Sequence, residues 1–200
     1  MKRHLVLSSF AFLLVFSSTA GAQQEPSPAQ SAKRTQWTEH DRKELLTKAQ
    51  RGDANSQMWL ATAYEQGWFG ERNFSEALKW FRKSAAKGNA DAQNDLGQMY
   101  EDGEGVKQSY VLAAKSYRKA AEHVPDLGGA GQGRNNLGML YWDGRGVPKD
   151  YIQAYMWFRL FRVEPNRNLV YAKEHMTEQQ ILEAKRRVKE WKVSHHDTQD

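Results

Sequence analysis

Apolar residues recur along the middle of the chain at intervals of three and four positions, which predicts helices that each bury one face. The pattern of one pair of helices returns 36 residues later, and most of it returns again after a further 41. The matched positions of the first two copies are Gly52, Leu60, Tyr64, Gly67, Ala77, Phe81, Arg82 and Ala85, then Gly88, Leu96, Tyr100, Gly103, Ala113, Tyr117, Arg118 and Ala121. The third copy keeps Leu137, Tyr141, Gly144, Ala154, Phe158 and Arg159. A period of this length predicts a stacked array, because one unit cannot bury its apolar face alone.

Each copy divides into two helices with a glycine between them. Gly67, Gly103 and Gly144 stand where the first helix should end, a position that favours left-handed backbone. Small residues at the crossing points would let the paired helices approach closely while Tyr and Phe fill the space beside them. These small residues are Gly97, Gly138, Ala61, Ala77, Ala113 and Ala154. The pattern therefore predicts an all-α solenoid of antiparallel helix pairs.

The period also sets the predicted organisation of the chain. The segments are a capping helix (38–51), repeat 1 (52–87), repeat 2 (88–123), an insertion loop (124–133), repeat 3 (134–164), C-terminal capping helices (165–192) and a frayed tail (193–200). Thr38 with Asp41, and Thr177 with Gln180, have the spacing of helix-capping pairs. Four glycines between positions 128 and 133 indicate a mobile surface loop.

The N-terminus has the features of a secretory signal peptide over residues 1–22. Lys2 and Arg3 precede an apolar stretch from Leu5 to Phe16, and the segment ends in the small residues Ala20-Gly21-Ala22. The predicted cleavage follows Ala22, with an uncleaved anchor as the alternative. The apolar stretch is shorter than the roughly 20 residues that span a bilayer. We therefore expect a periplasmic or secreted protein with no stable membrane insertion after cleavage, beginning with a disordered linker (23–37).

Composition excludes several kinds of chemistry. The chain has no cysteine, which removes disulfides, thiol catalysis and cysteine-bound zinc. Its formal net charge of +5 is too small an excess to indicate nucleic-acid binding. The six histidines form no recognised metal motif, Glu101 to Glu104 lack the spacing of a calcium loop, and no serine lies in a G-x-S-x-G context. We predict no catalytic residues, no metal and no cofactor.

One stretch of repeat 2 carries a family resemblance. Gly88-Asn89-Ala90-Asp91-Ala92-Gln93, with Leu96-Gly97, Tyr100 and Gly103-x-Gly105-Val106, resembles the signature of Sel-1-like repeats, relatives of tetratricopeptide repeats. Repeat 3 matches through Leu137-Gly138, Tyr141 and Gly144-x-Gly146-Val147, whereas Trp68-Phe69-Gly70 replaces this turn in repeat 1. The resemblance implies a right-handed superhelix that serves as a protein-interaction scaffold, in a short secreted bacterial member.

The resemblance also implies a binding face. In related repeats the exposed positions of the first helices line the concave side, where a protein or peptide partner binds. Here the corresponding residues are Met58, Thr62, Asn94, Gln98, Asn135, Met139 and Trp142. Trp142 is the expected apolar anchor, with Trp68 or Phe69 as a further one. For Met58 and Met139 the alternative is a place in the core between repeats.

Two classes of function remain open from the sequence. The preferred one is an exported, non-catalytic adaptor in the bacterial cell envelope. The alternative is a periplasmic hydrolase or ligand-binding protein with a site near residues 126–133, related to the β-lactam activity claimed for cysteine-rich relatives, although this chain lacks their paired cysteines. The last helix carries Lys185, Arg186, Arg187, Lys189 and Lys192. These cations indicate either an anionic partner or an ordinary solvated face. The oligomeric state stays open.

Overall fold

The computed structural model describes residues 38–124, 128–161 and 166–195, and within these ranges all regular structure is α-helical. The helices are α1 (Glu39–Gln50), α2 (Ala54–Gln66), α3 (Phe74–Ala86), α4 (Ala90–Asp102), α5 (Tyr110–Ala121), α6 (Gly129–Asp143), α7 (Tyr151–Leu160), α8 (Arg167–Glu174) and α9 (Glu178–Ser194). The predicted signal peptide and linker lie outside the described residues.

Consecutive helices pack as hairpins, one per repeat: α2 with α3, α4 with α5, and α6 with α7. At the ends, α1 packs on α2 and α9 packs on α7. A single apolar core runs through the array from Leu45 in α1 past Phe81 and Tyr117 to Trp191 in α9. A smaller cluster around Tyr155 and Leu169 joins α7 to α8. The predicted all-α solenoid is therefore confirmed.

Glycines end the first helix of each pair, as predicted. Gly67, Gly103 and Gly144 have φ of 68°, 76° and 72°, and each donates its N–H to the carbonyl four residues back. The predicted close crossings are confirmed as well. A Cβ added at Gly97 would lie 2.5 Å from the Tyr117 ring, and one at Gly138 would lie 2.5 Å from the Phe158 ring. The aromatic side chain of each second helix therefore occupies the space that a side chain at the glycine would need.

One side chain per repeat fastens its first helix to the preceding second helix. Gln57 Nε2 donates to Ala49 O at 2.9 Å, Gln93 Nε2 to Ala85 O at 3.1 Å, and Arg134 Nε to Ala121 O at 3.0 Å. The three carbonyls belong to the last turn of α1, α3 and α5, where the regular bonds of the helix run out. Ala49 O and Ala85 O also accept from backbone N–H groups of the turns that follow. The hydrogen bond from a first-helix glutamine to the last turn of the preceding helix therefore recurs between repeats.

Arg134 does more than its counterparts. It is fully buried, and its guanidinium also donates to Leu160 O at 3.1 Å and His123 O at 2.8 Å. The ring of Trp191 covers it, with the guanidinium carbon 4.7 Å from the ring centroid. Its charge thus lies at the C-terminal ends of α5 and α7, where helix dipoles favour a cation. Arg134 joins repeat 2, repeat 3 and the closing helix.

The predicted insertion loop is wrong for residues 129–133, because α6 begins at Gly129. Gly129, Ala130, Gly131 and Gly133 are buried. A Cβ added at Gly133 would lie 2.7 Å from the Cβ of Ala120, so the glycine permits contact with α5. Gly128 has φ of 52°, and the N–H of Gly129 donates to Asp91 Oδ1 at 2.6 Å. These glycines therefore serve close packing. Residues 125–127 lie outside the described part.

The ends of the array agree with the capping predictions. Thr38 with Asp41 and Thr177 with Gln180 both form complete capping boxes. Helix α9 continues to Ser194, so residues 193 and 194 are helical where fraying was expected; residues 196–200 are not described. Among the described helices, none has both the length and the apolar character needed to cross a membrane.

Candidate functional site

Contacts link the first helices in order along the array: α4 packs on α6, and side-chain hydrogen bonds link the start of α4 to α2 and α8 to α6. We define the first-helix face as the side chains of α2, α4, α6 and α8 outside the core. Its central members are Asn55, Trp59, Thr62, Asp91, Asp95, Gln98, Gln132, Asn136, Met139, Asn168 and Tyr171. Hydrogen bonds between asparagine side chains connect each first helix to the next. Asn89 Nδ2 donates to Asn55 Oδ1 at 2.9 Å, Asn136 Nδ2 to Asn94 Oδ1 at 3.0 Å, and Asn168 Nδ2 to Asn135 Oδ1 at 2.8 Å.

At the N-terminal end of this face Trp59 is 47% exposed and stacks on Trp68, with ring centroids 6.3 Å apart. The same repeat position holds Asp95 and Asn136, which are half-buried beside neighbouring first helices. In the described part of the chain α1 alone precedes α2, and α1 matches a second helix. Trp59 is therefore exposed because no first helix covers that flank. The sequence analysis did not select Trp59.

The predicted residues of repeat 1 are divided between core and surface. Met58 is only 9% exposed and belongs to the core, which was its alternative assignment. Thr62 is half-buried, and its hydroxyl donates to Met58 O at 3.1 Å. Trp68 and Phe69 are half-buried, and the guanidinium of Arg42 lies 5.3 Å from the Phe69 ring. The expected exposure of Met58 was wrong, because the side chain packs into the apolar core of the array.

In the middle of the face, the expected exposure of Asn94 was also wrong. Asn94 is fully buried and bonds to Gln132 Oε1 at 3.2 Å as well as to Asn136. It therefore fixes α4 to α6, and its side chain has no free surface for a partner. Gln98, one turn further along α4, is exposed as expected.

Asp95 gives the middle of the face an acidic character. Burial raises the pKa of this carboxyl to about 7, and the negative charges of Glu65 and Asp91 raise it further, against the lowering effect of the Asn94 amide. Burial, Glu65 and Asp102 also raise the pKa of Glu104. Carboxylates from two repeats thus lie near one another with their charges incompletely balanced. A cationic group would be favoured here.

At the C-terminal end an aromatic cluster closes the face. Trp142 lies 4.6 Å from Tyr151, 5.4 Å from Tyr171 and 6.1 Å from His175, measured between ring centroids. Trp142 is itself half-buried, and both Trp142 and Met139 pack against the core cluster around Tyr155 and Leu169. Tyr171 is 51% exposed, so it offers more aromatic surface than Trp142. The sequence analysis missed Tyr171, because the repeat pattern ends before α8.

Helix α8 takes the place of a further first helix. Its Asn168 bonds to Asn135, as Asn136 does to Asn94, and its Tyr171 packs on Trp142. Asn135 is half-buried beneath this contact. The first-helix face therefore spans α2 to α8 and ends there.

Tyr117, Glu101 and Arg145 form a network of structural contacts. Tyr117 donates its hydroxyl to Glu101 Oε2 at 2.8 Å, and Arg145 pairs with Glu101 Oε1 at 3.1 Å. Burial and the Glu101 charge raise the pKa of Tyr117 well above its usual range, so the phenol stays protonated. This network joins repeats 2 and 3. Within the described ranges no group of three His, Asp or Glu side chains could hold a metal ion.

The stacked helix pairs define a helical-repeat protein. The model for the Sel1 repeat matches residues 54–89, 90–123 and 132–161, together half of the chain. The chain therefore belongs to the Sel1 repeat family. Proteins of this family generally mediate protein–protein interactions and are generally non-catalytic scaffolds.

Two solved structures are similar along most of the chain. One is a protective antigen present in uropathogenic Escherichia coli strains that displays an SLR fold, with a TM-score of 0.68 and 28% identity over 82% of this chain. This chain spans only 37% of the length of that antigen. The other is a Sel1 repeat protein from Oxalobacter formigenes, with a TM-score of 0.53 and 31% identity, covering 76% of this chain and 99% of that one. Among curated proteins none matches.

Proposed function

We propose that this chain is an exported, non-catalytic interaction module that binds a protein or peptide partner on its first-helix face. The observation that carries the proposal is the pair of exposed aromatic side chains, Trp59 and Tyr171, at opposite ends of that face. The general role of Sel1 repeat proteins supports the same function. The destination, periplasm or outside the cell, follows from the signal peptide predicted over residues 1–22.

The surface has the composition that partner binding uses. Aromatic side chains gain most from being covered, because they bury a large area for little lost rotamer freedom. Between Trp59 and Tyr171, the exposed amides of Gln98 and Gln132 can pair with main-chain groups of a partner. Asp95 and Glu65 favour a partner with a basic side chain at that point.

The sequence-predicted anchor Trp142 is a poor choice for a test, because its substitution would also remove its packing contact with Tyr171 of α8. Tyr171 and Trp59 are better, since both are about half exposed. The alternative site near residues 126–133 loses support from the burial of residues 129–131 and 133 in α6.

The test is affinity capture from the envelope fraction with the wild-type chain and two double variants. Trp59→Ser with Tyr171→Ser removes both anchors. Val111→Ser with Leu112→Ser is the control, because these residues are exposed on the second helix α5. We expect the anchor variant to lose at least about tenfold of the captured partner, the scale of one or two interface hot spots.

The control variant should capture as much partner as wild type. Equal capture by the anchor variant and wild type would contradict binding on the first-helix face. Mass spectrometry of the recovered bait tests export in the same preparation. The mature chain should begin at Gln23, and bait that retains Met1 would contradict cleavage.

A further inference from the structure

Positive and negative charges are divided between the two sets of helices in the three repeats. The first helices α2, α4 and α6 carry six acids, and their single base is the buried Arg134. The second helices α3, α5 and α7 carry seven exposed bases and one acid, the half-buried Glu76. The array therefore has an acidic side and a basic side.

The bases of the second helices recur at equivalent repeat positions. They are Lys79, Arg82 and Lys83 in α3, Lys115, Arg118 and Lys119 in α5, and Arg159 in α7. The α5 set follows the α3 set by 36 residues, and a spacing of three and four positions places each set on one side of its helix. That side is exposed, because each second helix packs on the first helices before and after it. We call the exposed side chains of α3, α5 and α7 the second-helix face.

Nearby acids neutralise little of this charge. Glu76 pairs with Lys79 at 3.4 Å, and one further acid, Glu122, caps the end of α5. Lys115 and Lys119 form no ion pair with any residue that the structure describes. Their charges are therefore available to an anionic partner.

Exposed aliphatic side chains lie beside these lysines on α5. Val111 is 65% exposed and Leu112 is 41% exposed. Val111 precedes Lys115 by one turn and Lys119 by two, so the three share one stripe of the helix. The aromatic side chains of α3, α5 and α7 are buried or half-buried. Protein interfaces favour aromatic residues over lysine, whereas lysine with exposed aliphatic side chains suits the headgroup region of a bilayer.

From this arrangement we infer that the second-helix face binds the surface of a bilayer that contains anionic phospholipid. Lysine and arginine side chains pair with the headgroup phosphates, while Val111 and Leu112 enter the boundary between headgroups and acyl chains. The same surface repels the acidic first helices, so a bound molecule presents its first-helix face away from the bilayer. The inference goes beyond the proposed function and does not depend on it.

The test is co-sedimentation of the protein with vesicles of phosphatidylglycerol or of phosphatidylcholine. The chain used begins at Gln23, because the apolar stretch from Leu5 to Phe16 would itself enter lipid. It retains all the residues that the structure describes. We expect binding to phosphatidylglycerol that weakens steeply with added salt, and no binding to phosphatidylcholine. Absence of binding to phosphatidylglycerol, or equal binding to both lipids, would overturn the inference.

A matched pair of variants tests the face rather than the net charge. Lys115→Gln with Lys119→Gln should weaken binding to phosphatidylglycerol at least about tenfold. Arg167→Gln with Lys173→Gln is the control, because it removes the same charge from exposed positions of α8, which continues the first-helix face. The control should bind as wild type does. Equal losses in the two variants, or unchanged affinity in the α5 variant, would contradict binding through the second-helix face.

A soluble acidic polymer separates a bilayer from an acidic protein as the occupant. Val111→Ser with Leu112→Ser should weaken vesicle binding several-fold and leave the weaker binding of polyglutamate unchanged. Polyglutamate that binds as tightly as vesicles, with no loss of vesicle binding in this variant, would assign the face to an acidic polypeptide and overturn the inference. Circular dichroism should show the wild-type melt for every variant, because all the substituted side chains are exposed.

Discussion

At the residue scale, one repeat position shows how surroundings change the role of a side chain. Positions 59, 95 and 136 are equivalent, and they hold an exposed Trp, a half-buried Asp and a half-buried Asn. Of these three, Asp95 has its pKa raised to about 7, chiefly by burial and then by Glu65 and Asp91. Since Glu65 belongs to another repeat, this environment arises only when the hairpins stack.

The raised pKa predicts a pH-dependent contribution to stability. Between pH 4 and about 7 the folded chain keeps a proton on Asp95 that the unfolded chain releases, so stability falls as pH rises through this window. Asp95→Asn, which copies the residue at position 136, removes that loss. We expect the stability of the variant relative to wild type to rise by about 1–2 kcal/mol from pH 5 to pH 8. Urea unfolding at both pH values measures the difference.

Gln98→Asn is the matched control, because Gln98 is an exposed residue in the same helix and does not titrate. Its effect should be the same at pH 5 and pH 8. An Asp95→Asn variant with an equally pH-independent effect would contradict the assignment of the shift to burial.

At the element scale, periodicity predicted the helix pairs, and it was misleading only where glycine was abundant. Gly129 and Gly133 lower helix propensity, so the sequence indicated a loop. In the folded chain Ala120 and Asp91 lie against these residues, and a side chain there would collide with them. Packing with another repeat outweighs local helix propensity here. The sequence of residues 128–133 alone does not reveal this packing.

Arg134 is the side chain on which the junction of three elements depends most. Arg134→Gln should keep the bond to Ala121 O, as Gln57 and Gln93 do in their repeats, and lose those to Leu160 O and His123 O. It also empties space beneath Trp191. We expect a loss of about 2–4 kcal/mol in the free energy of unfolding, measured by urea titration.

Arg82→Gln provides the comparison, because Arg82 is an exposed arginine bound to a tyrosine hydroxyl. It should cost less than about 1 kcal/mol. Similar losses of unfolding free energy in the two variants would mean that buried Arg134 stabilises the fold no more than exposed Arg82 does.

At the scale of the whole molecule, the sequence predicted the array and its closing helix and only part of the surface. Gln98 is exposed as expected, whereas Met58 and Asn94 are buried at the seams between repeats. An alignment of repeats gives equivalent positions, but not which side of a helix its neighbour covers. Trp59 and Tyr171 depend on the ends of the array, where the repeat pattern stops.

The closing helix predicts a further result. A chain that ends at Met176 would lack α9 and expose Met156 and Trp157, which Trp191 now covers. We expect a loss of at least about 3 kcal/mol in the free energy of unfolding and increased binding of an apolar fluorescent dye. Removal of residues 196–200 alone should change stability by less than about 0.5 kcal/mol. An unchanged melt for the longer truncation would contradict the capping role of α9.

The bonds from Gln57 to Ala49 and from Gln93 to Ala85 have a consequence for how such a molecule can grow. They are interchangeable, so a duplicated hairpin inserted ahead of residue 88 would find a matching joint on either side. A hairpin inserted before α6 would disrupt the Arg134 junction, because Arg134 bonds to carbonyls at the ends of both α5 and α7. We therefore expect lengthening by gene duplication to be tolerated ahead of residue 88 and to be disfavoured between α5 and α6.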